Sequence, residues 1–293
     1  MNDKQTMNYL LIIFIITNLL LGIGNYNKYI KNYTLTQERI SNITDFLAKD
    51  GIIIQGDIPK DHSAKRAIKL TPQKITPNMR DSIVNNFFGN ERKGVTITEI
   101  ADKSNYDSQK RVYKKDNETL TFSAYKIIYQ NSNIPNIPNI PNISQKKALS
   151  LAKEHYKKFP QDLLGKKVNI VYEQVSYGAN ISYYKLYNDL PVFDSHLSMQ
   201  LTEDGVFMST ITLSEVTEEN VNETEIYALD QVLFNLHYII NEHTIIKNII
   251  LGYARINQES AFFLTEEAVP SYKINIEGLN KSLFVNAYTN QVK

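Results

Sequence analysis

Eighteen successive positions, Met7 to Gly24, carry no charged residue, and eleven of them are Leu, Ile or Phe. At 1.5 Å per residue the run covers about 27 Å, enough for a bilayer core. Its apolar side chains favour insertion by roughly 3 to 7 kcal/mol, against a smaller cost for Thr17 and Asn18. No face of the segment is polar, which sets it apart from a helix lying on a globular core. The rival reading is a cleaved signal peptide, whose apolar stretch would be shorter and would end in a small-x-small site; Gly22-Ile23-Gly24 is a weak form of one. Lys4 flanks one side and Lys28 and Lys31 the other, so the positive-inside count is indecisive. Residues 1–6 form a tail too short to hold a domain, and such tails usually stay inside. The expected anchor is therefore 7–24, with the bulk of the chain outside the cytoplasm. Within it Asn18, Gly22 and Gly24 are small or polar among bulky neighbours, which makes them candidate contacts for a partner helix.

Beyond the anchor the hydrophobic period alternates between helix and strand. Leu35, Ile40, Ile43, Phe46 and Leu47 predict a helix capped by Thr34 or Thr36 and stopped by Gly51, then a short strand at Ile52-Ile53-Ile54. Thr76-Pro77 opens a second helix through Met79, Ile83, Val84 and Phe87 to Gly89. Strand patterns follow at 94–100, 110–115 and 119–129. Residues 133–141 are three copies of Asn-Ile-Pro, whose prolines forbid helix and break a ladder. They predict a polyproline-like spacer within a linker at 131–143, separating a membrane-proximal part, 25–130, from a C-terminal part, 144–293.

After the spacer, Ser144 caps a helix with Ala148, Leu151, Ala152, Tyr156 and Phe159 on one face, ended by Pro160. Strands are expected at 167–175, 182–187, 192–201 and 206–213, with turns at Asn188-Asp189 and Glu203-Asp204-Gly205. A helix from Ile226 to about Asn241 follows, with Tyr238 and Ile240 turned inward, then strands at 247–256, 261–264, 271–276 and 283–288. Helix followed by antiparallel strands thus occurs twice, at 144–216 and 224–293. The fold class is α+β: an N-terminal membrane helix, then two parts of helices on antiparallel sheets, the second a tandem repeat.

Composition adds exclusions. The net charge of +1 gives no basic field for nucleic acid, and the lack of cysteine removes disulfides, thiolate nucleophiles and Cys-bearing zinc sites. The five histidines, His62, His155, His196, His237 and His243, lack metal-helix spacing and read as surface or half-buried residues. Asp194-Ser195-His196 suggests a triad only on paper, because strand neighbours point to opposite faces. Glu215, Glu218, Glu219, Glu223 and Glu225 read as a solvated acidic loop, Glu266-Glu267 as a turn, and Lys65-Arg66 with Lys69 as a wet basic face. No catalytic, cofactor-binding or metal residue is expected, and no small-molecule substrate; a hydrolase is the least favoured class.

Several segments carry a family likeness: Leu190-Pro191-Val192-Phe193, Leu197 to Leu201, Glu203-Asp204-Gly205-Val206, Ile249-Ile250-Leu251-Gly252-Tyr253, Val269-Pro270-Ser271-Tyr272-Lys273-Ile274 and Phe284-Val285-Asn286-Ala287-Tyr288. Asp57-Ile58-Pro59-Lys60 and Phe87-Phe88-Gly89-Asn90 fit more loosely. On these the chain resembles the YycI/YycH family of regulators of a Gram-positive two-component system. The family's usual strand Trp is missing and Tyr272 stands in its place; the Asn-Ile-Pro spacer is also a departure. The resemblance implies a non-enzymatic, membrane-anchored regulator whose partners are a sensor histidine kinase, a YycH-like co-regulator and membrane lipid. The helix-plus-strands modules are also similar to PepSY domains, which implies the alternative of a binding module for a cell-wall or germination protease.

Overall fold

The computed structural model describes residues 3–101, 109–134, 143–160, 162–256, 264–279 and 281–292. In chain order it begins with α1 (Asp3–Tyr33), α2 (Gln37–Ala48), β1 (Ile53–Ile54), β2 (Ile68–Pro72) and α3 (Pro77–Phe88). Four strands follow: β3 (Thr96–Ala101), β4 (Gln109–Lys115), β5 (Glu118–Phe122) and β6 (Lys126–Asn131). Then come α4 (Gln145–Tyr156), β7 (Val168–Val175), β8 (Gly178–Tyr187), β9 (Leu190–Thr202), β10 (Gly205–Thr212) and β11 (Ser214–Glu219). The chain closes with α5 (Leu229–Leu236), β12 (Ile245–Arg255), β13 (Glu266–Ile276), β14 (Leu283–Asn286) and β15 (Gln291–Val292). The fold is mixed α+β, with one apolar N-terminal helix.

Local chemistry sets the helix boundaries. The hydroxyls of Thr36, Thr76 and Ser144 accept from the backbone N–H of Arg39, Met79 and Lys147, each satisfying an orphan donor of the first turn. Pro77 sits at the start of α3, where its missing N–H costs nothing. Gly51 and Gly89 follow α2 and α3 at φ +72° and +87°, a region L-residues avoid. Leu35 and Ile40, both buried, occupy the positions flanking the α2 cap that a hydrophobic staple uses.

The chain forms two compact units. The first comprises Met1–Lys65, Glu223–Ile250 and Lys273–Val292; the second comprises Arg66–Asn222 and Leu251–Tyr272. In the first, α2 packs on α5, burying Ile40, Ile43 and Leu47 of one and Leu229, Val232, Leu233 and Leu236 of the other. β1 runs parallel to β12, Ile53 beside Ile245, and β14 lies next to β13 and β15. Gly56 lets the backbones close up here: a Cβ on it would lie 2.6 Å from the Lys247 carbonyl oxygen.

In the second unit the strand order is β11-β2-β13-β12-β9-β10-β6-β5-β4-β3, with β8 beside β9 and β7 beside β8. β2 pairs antiparallel with β11 and β13, as do β3 with β4, β4 with β5, β5 with β6, β6 with β10, β7 with β8, β8 with β9 and β9 with β10, whereas β9 and β12 run parallel where Tyr253 meets Val192. The β8–β9 hairpin turns on Asn188 and Asp189 at φ 47° and 60°, the left-handed pair that a two-residue turn of matching twist requires. Helices α3 and α4 bury Ile83, Val84, Phe88, Ala148 and Ala152 in one core with Leu120, Ile127, Ile181, Leu197 and Ile211. This unit holds sequence from both flanks of the Asn-Ile-Pro run, since β6 before it pairs along β10 after it. Most of the expected linker, 135–142, lies outside the described residues, as do 261–263 of one expected strand.

Four local expectations are corrected. The stretch 214–219 is strand β11, because its residues pair antiparallel with β2 from Ser214 opposite Pro72 to Glu219 opposite Ile68, with an irregularity between Val216 and Glu218. Glu266 and Glu267 are not a turn but open β13, opposite Leu70 and Lys69 of β2. The expected strand 119–129 breaks at Ser123–Tyr125 into β5 and β6, which fold back on each other. The helix expected over 226–241 is only Leu229–Leu236, and Tyr238, expected inside, is 69% exposed. Its start lacks a side-chain acceptor, since the cap is Ala228.

Candidate interaction site

The apolar helix is longer than its uncharged stretch. From Met7 to Tyr29 it is long and apolar enough to cross a membrane, and none of that span is buried by the rest of the chain. Its two mid-span polar residues each bond back within the helix: Thr17 Oγ1 donates to the Ile13 carbonyl at 2.8 Å and Asn18 Nδ2 to the Phe14 carbonyl at 2.9 Å. Such i−4 bonds reduce the cost of polar groups in hydrocarbon. Asn18 is exposed, and a Cβ placed on Gly22 or Gly24 would meet nothing within 4 Å. All three candidate positions therefore lie on the uncovered helix.

The C-terminal end of this helix is tied to the segment 60–62 by main-chain bonds. His62 N–H donates to the Tyr33 carbonyl at 2.9 Å, and Leu35 N–H donates to the Lys60 carbonyl at 2.8 Å. Thr34 and Asp61 form an antiparallel bridge between them. Burial would raise the Asp61 carboxyl, but hydrogen bonds from the Lys65 amine at 2.7 Å and from Ser63 hold it below its ordinary 3.8. Only Thr34 to Thr36 separate α1 from α2, and Leu35 among them is buried.

Between α2 and α5 lies a groove of about 410 Å³, lined by Arg39, Asn42, Ile43, Phe46, Asp230 and Phe234. At one end the Arg39 guanidinium donates twice to the Asp230 carboxylate, each bond 2.7 Å. At the other, Phe46 and Phe234 stand with ring centroids 5.3 Å apart, and Phe234 is 48% exposed. His237 lies 4.9 Å from Phe46 and is hydrogen-bonded to Asp50. Tyr238, also exposed, continues the aromatic row, its ring centroid 5.6 Å from that of Phe234. Sequence reasoning missed this groove. The exposed Phe234 breaks the inward stripe of α5, but a single misplaced aromatic carries little information before its neighbours are known.

The chemistry-bearing residues of the second unit are structural. Ser195 is buried and its hydroxyl accepts from Ser214 N–H at 3.1 Å, while Asp194 accepts from Arg255 and His196 meets the Thr212 hydroxyl at 3.2 Å. The three neighbours therefore do not converge. Glu218 pairs with Lys69 at 2.5 Å and Glu219 with Arg66 at 3.5 Å, so these acidic and basic side chains answer one another. His155, expected at the surface or half-buried, is instead 6% exposed, with Nε2 2.9 Å from the Ser209 hydroxyl and Phe87, Tyr129 and Phe159 around its ring. Burial, helped by the Lys158 charge, pushes its pKa down to about 3, so the ring is neutral at any ordinary pH. No group of three or more His, Asp or Glu side chains among the described residues is arranged to hold a metal ion.

No family model matches the sequence, and no curated protein matches it. Among solved structures, an uncharacterized protein from Eubacterium rectale aligns with a TM-score of 0.55 at 10% identity, over 83% of this chain and 91% of that one. YycH from Bacillus subtilis aligns with a TM-score of 0.45 at 10% identity, over 79% of this chain and 55% of that one. What the chain shares with the Eubacterium rectale protein is its fold.

Proposed function

We propose that this chain is a non-enzymatic, membrane-anchored regulator of a sensor histidine kinase, of the kind the YycI resemblance implies. The observation that carries the reading is the continuity of an uncovered apolar helix with a folded body. Met7–Tyr29 has the length to span a bilayer, and the same helix runs on to Tyr33, whose carbonyl accepts from His62 N–H in the folded part of the same unit. The N-terminal tail lies inside and both compact units outside. Asn18, Gly22 and Gly24 contact the partner's membrane helices. The segments that carry the resemblance support this: they form β9, β10, β12, β13 and β14, strands in which Val192, Leu197, Tyr253, Tyr272 and Val285 are core residues. The chain acts by binding one signalling state of the kinase more tightly than the other, and a difference of about 1–3 kcal/mol gives a 5–150-fold bias.

The test compares kinase autophosphorylation in membranes that hold the full chain with membranes holding a version whose residues 7–29 are replaced by an unrelated span. A changed kinase output with the native helix, lost on replacement, supports the reading. Equal output with both, or a mature chain that begins after Gly24 and leaves the membrane, overturns it.

A further inference from the structure

The α2–α5 groove has a charge environment unlike that of the whole chain. Residues 223–243 contain Glu223, Glu225, Asp230 and Glu242 and no lysine or arginine. Residues 36–50 contain Glu38, Asp45 and Asp50 against Arg39 and Lys49. The two segments framing the groove thus hold a formal excess of five negative charges, in a chain whose total is +1. Glu38, Asp45, Glu225 and Glu242 are exposed and form no salt bridge among the described residues.

The groove itself is apolar. Ile43 is buried at its base, and the Phe46 and Phe234 rings form a wall that the polar end, closed by the Arg39–Asp230 pair, does not extend. Its volume of about 410 Å³ suits two or three large side chains. Anchors spaced at i, i+3 and i+4 on a helix enter a channel between two helices in this way. The charged residues lining the groove, Arg39 and Asp230, neutralise each other, so the net negative charge comes from the rest of the two framing segments, and it attracts basic residues and repels acidic ones on a helix that buries apolar anchors here.

We infer that the groove between α2 and α5 docks an amphipathic helical segment of a protein partner, with apolar anchors on one face and lysine or arginine beside them. The inference deepens the proposed regulatory reading by giving the chemistry of the partner's recognised segment. Anionic lipid is the other occupant an apolar rim near a membrane helix invites, and the same negative charge opposes it.

The test uses the full chain in phosphatidylcholine nanodiscs and three probes: an 18-residue helical peptide of Leu and Lys at amphipathic spacing, its Lys→Glu counterpart, and phosphatidylglycerol vesicles. The basic peptide binds, Phe234→Ser weakens it at least tenfold, and Ile170→Ser, at an exposed apolar site in the second unit, changes it less than twofold. Asn42→Trp, which fills the groove from an exposed position, blocks binding without removing a core residue. Equal binding of the acidic peptide, equal effects of the Phe234 and Ile170 variants, or vesicle capture that Asn42→Trp abolishes while peptide binding persists, overturns the inference. Kinase output is not part of this readout, so groove binding without regulation, or regulation without groove binding, separates the two conclusions.

Discussion

Arg39 and Asp230, 191 positions apart in the sequence, are joined by two parallel hydrogen bonds of 2.7 Å that fasten α2 to α5. The planar guanidinium matches the carboxylate edge, a geometry lysine does not reproduce. The pair is only partly shielded, with side-chain exposures of 39% and 18%, so solvent screening limits its worth. Arg39→Ala is expected to lower stability by about 1 kcal/mol, and Arg39→Lys to recover less than half of that. Urea unfolding of the full chain in detergent, followed at both variants, measures it. An Arg39→Lys protein as stable as wild type removes the bidentate argument.

His155 governs a second prediction. Its pKa falls from an ordinary 6.5 to about 3 in the folded chain. Below pH 6.5 the unfolded state takes up a proton that the folded state refuses, so stability is full above that pH and is lost as pH falls towards 3. At 1.36 kcal/mol per pH unit the whole displacement is worth roughly 4–5 kcal/mol. His155→Gln keeps a hydrogen-bonding group near Ser209 without a titrating ring. The expected outcome is a lower stability at pH 7.5 and a flatter decline between pH 6.5 and 4, measured by thermal unfolding across that range. An unchanged acid slope contradicts the assignment.

At Gly56 the constraint is steric. Because a Cβ there would lie 2.6 Å from the Lys247 carbonyl oxygen and 2.8 Å from the Asn248 Cα, both backbone atoms, β12 must move to admit it. Gly56→Ala is expected to destabilise the first unit by about 1–3 kcal/mol, the range for overpacking. Faster hydrogen exchange at Ile53 and Gln55, whose N–H groups donate to Thr244 and Ile246, reads the displaced pairing directly.

Much of this architecture was legible because the signals were local. Thr76-Pro77, Ser144 and Asn188-Asp189 state their caps and turn in adjacent residues, and the structure places a helix or hairpin at each. The failures share the opposite cause. Glu215 to Glu219 read as loop because four polar residues around a single Val216 lack an apolar period, yet pairing with β2 makes them a strand, with ion pairs to Lys69 and Arg66. Glu266 and Glu267 fail for the same reason, since their partner is also β2, about 200 positions away. His155 looked like a polar residue on a helix, and only the arrival of Phe87, Tyr129 and Ser209 from three other elements makes it a core residue. The groove needed α2 and α5 to be brought together, which no window of sequence contains.

The apolar N-terminal helix supplies the last prediction. Asn18 gives one amide hydrogen to the Phe14 carbonyl, and in the membrane setting proposed for this helix its carbonyl oxygen and second hydrogen remain for a neighbour where no water competes. A hydrogen bond between helices in this setting contributes about 0.6–1.7 kcal/mol, which corresponds to roughly a threefold to twentyfold change in association. On the proposed function, Asn18→Leu is expected to leave the chain in the membrane, resistant to alkaline carbonate, while co-purification of the proposed kinase partner falls within that range. Gly22→Leu and Gly24→Leu close off approach of a partner backbone without disturbing the chain itself, since neither glycine meets another residue. If all three variants retain wild-type co-purification, the helix is an anchor alone, and recognition belongs to the folded units. If only the two glycine variants lose it, close packing and not the amide selects the partner.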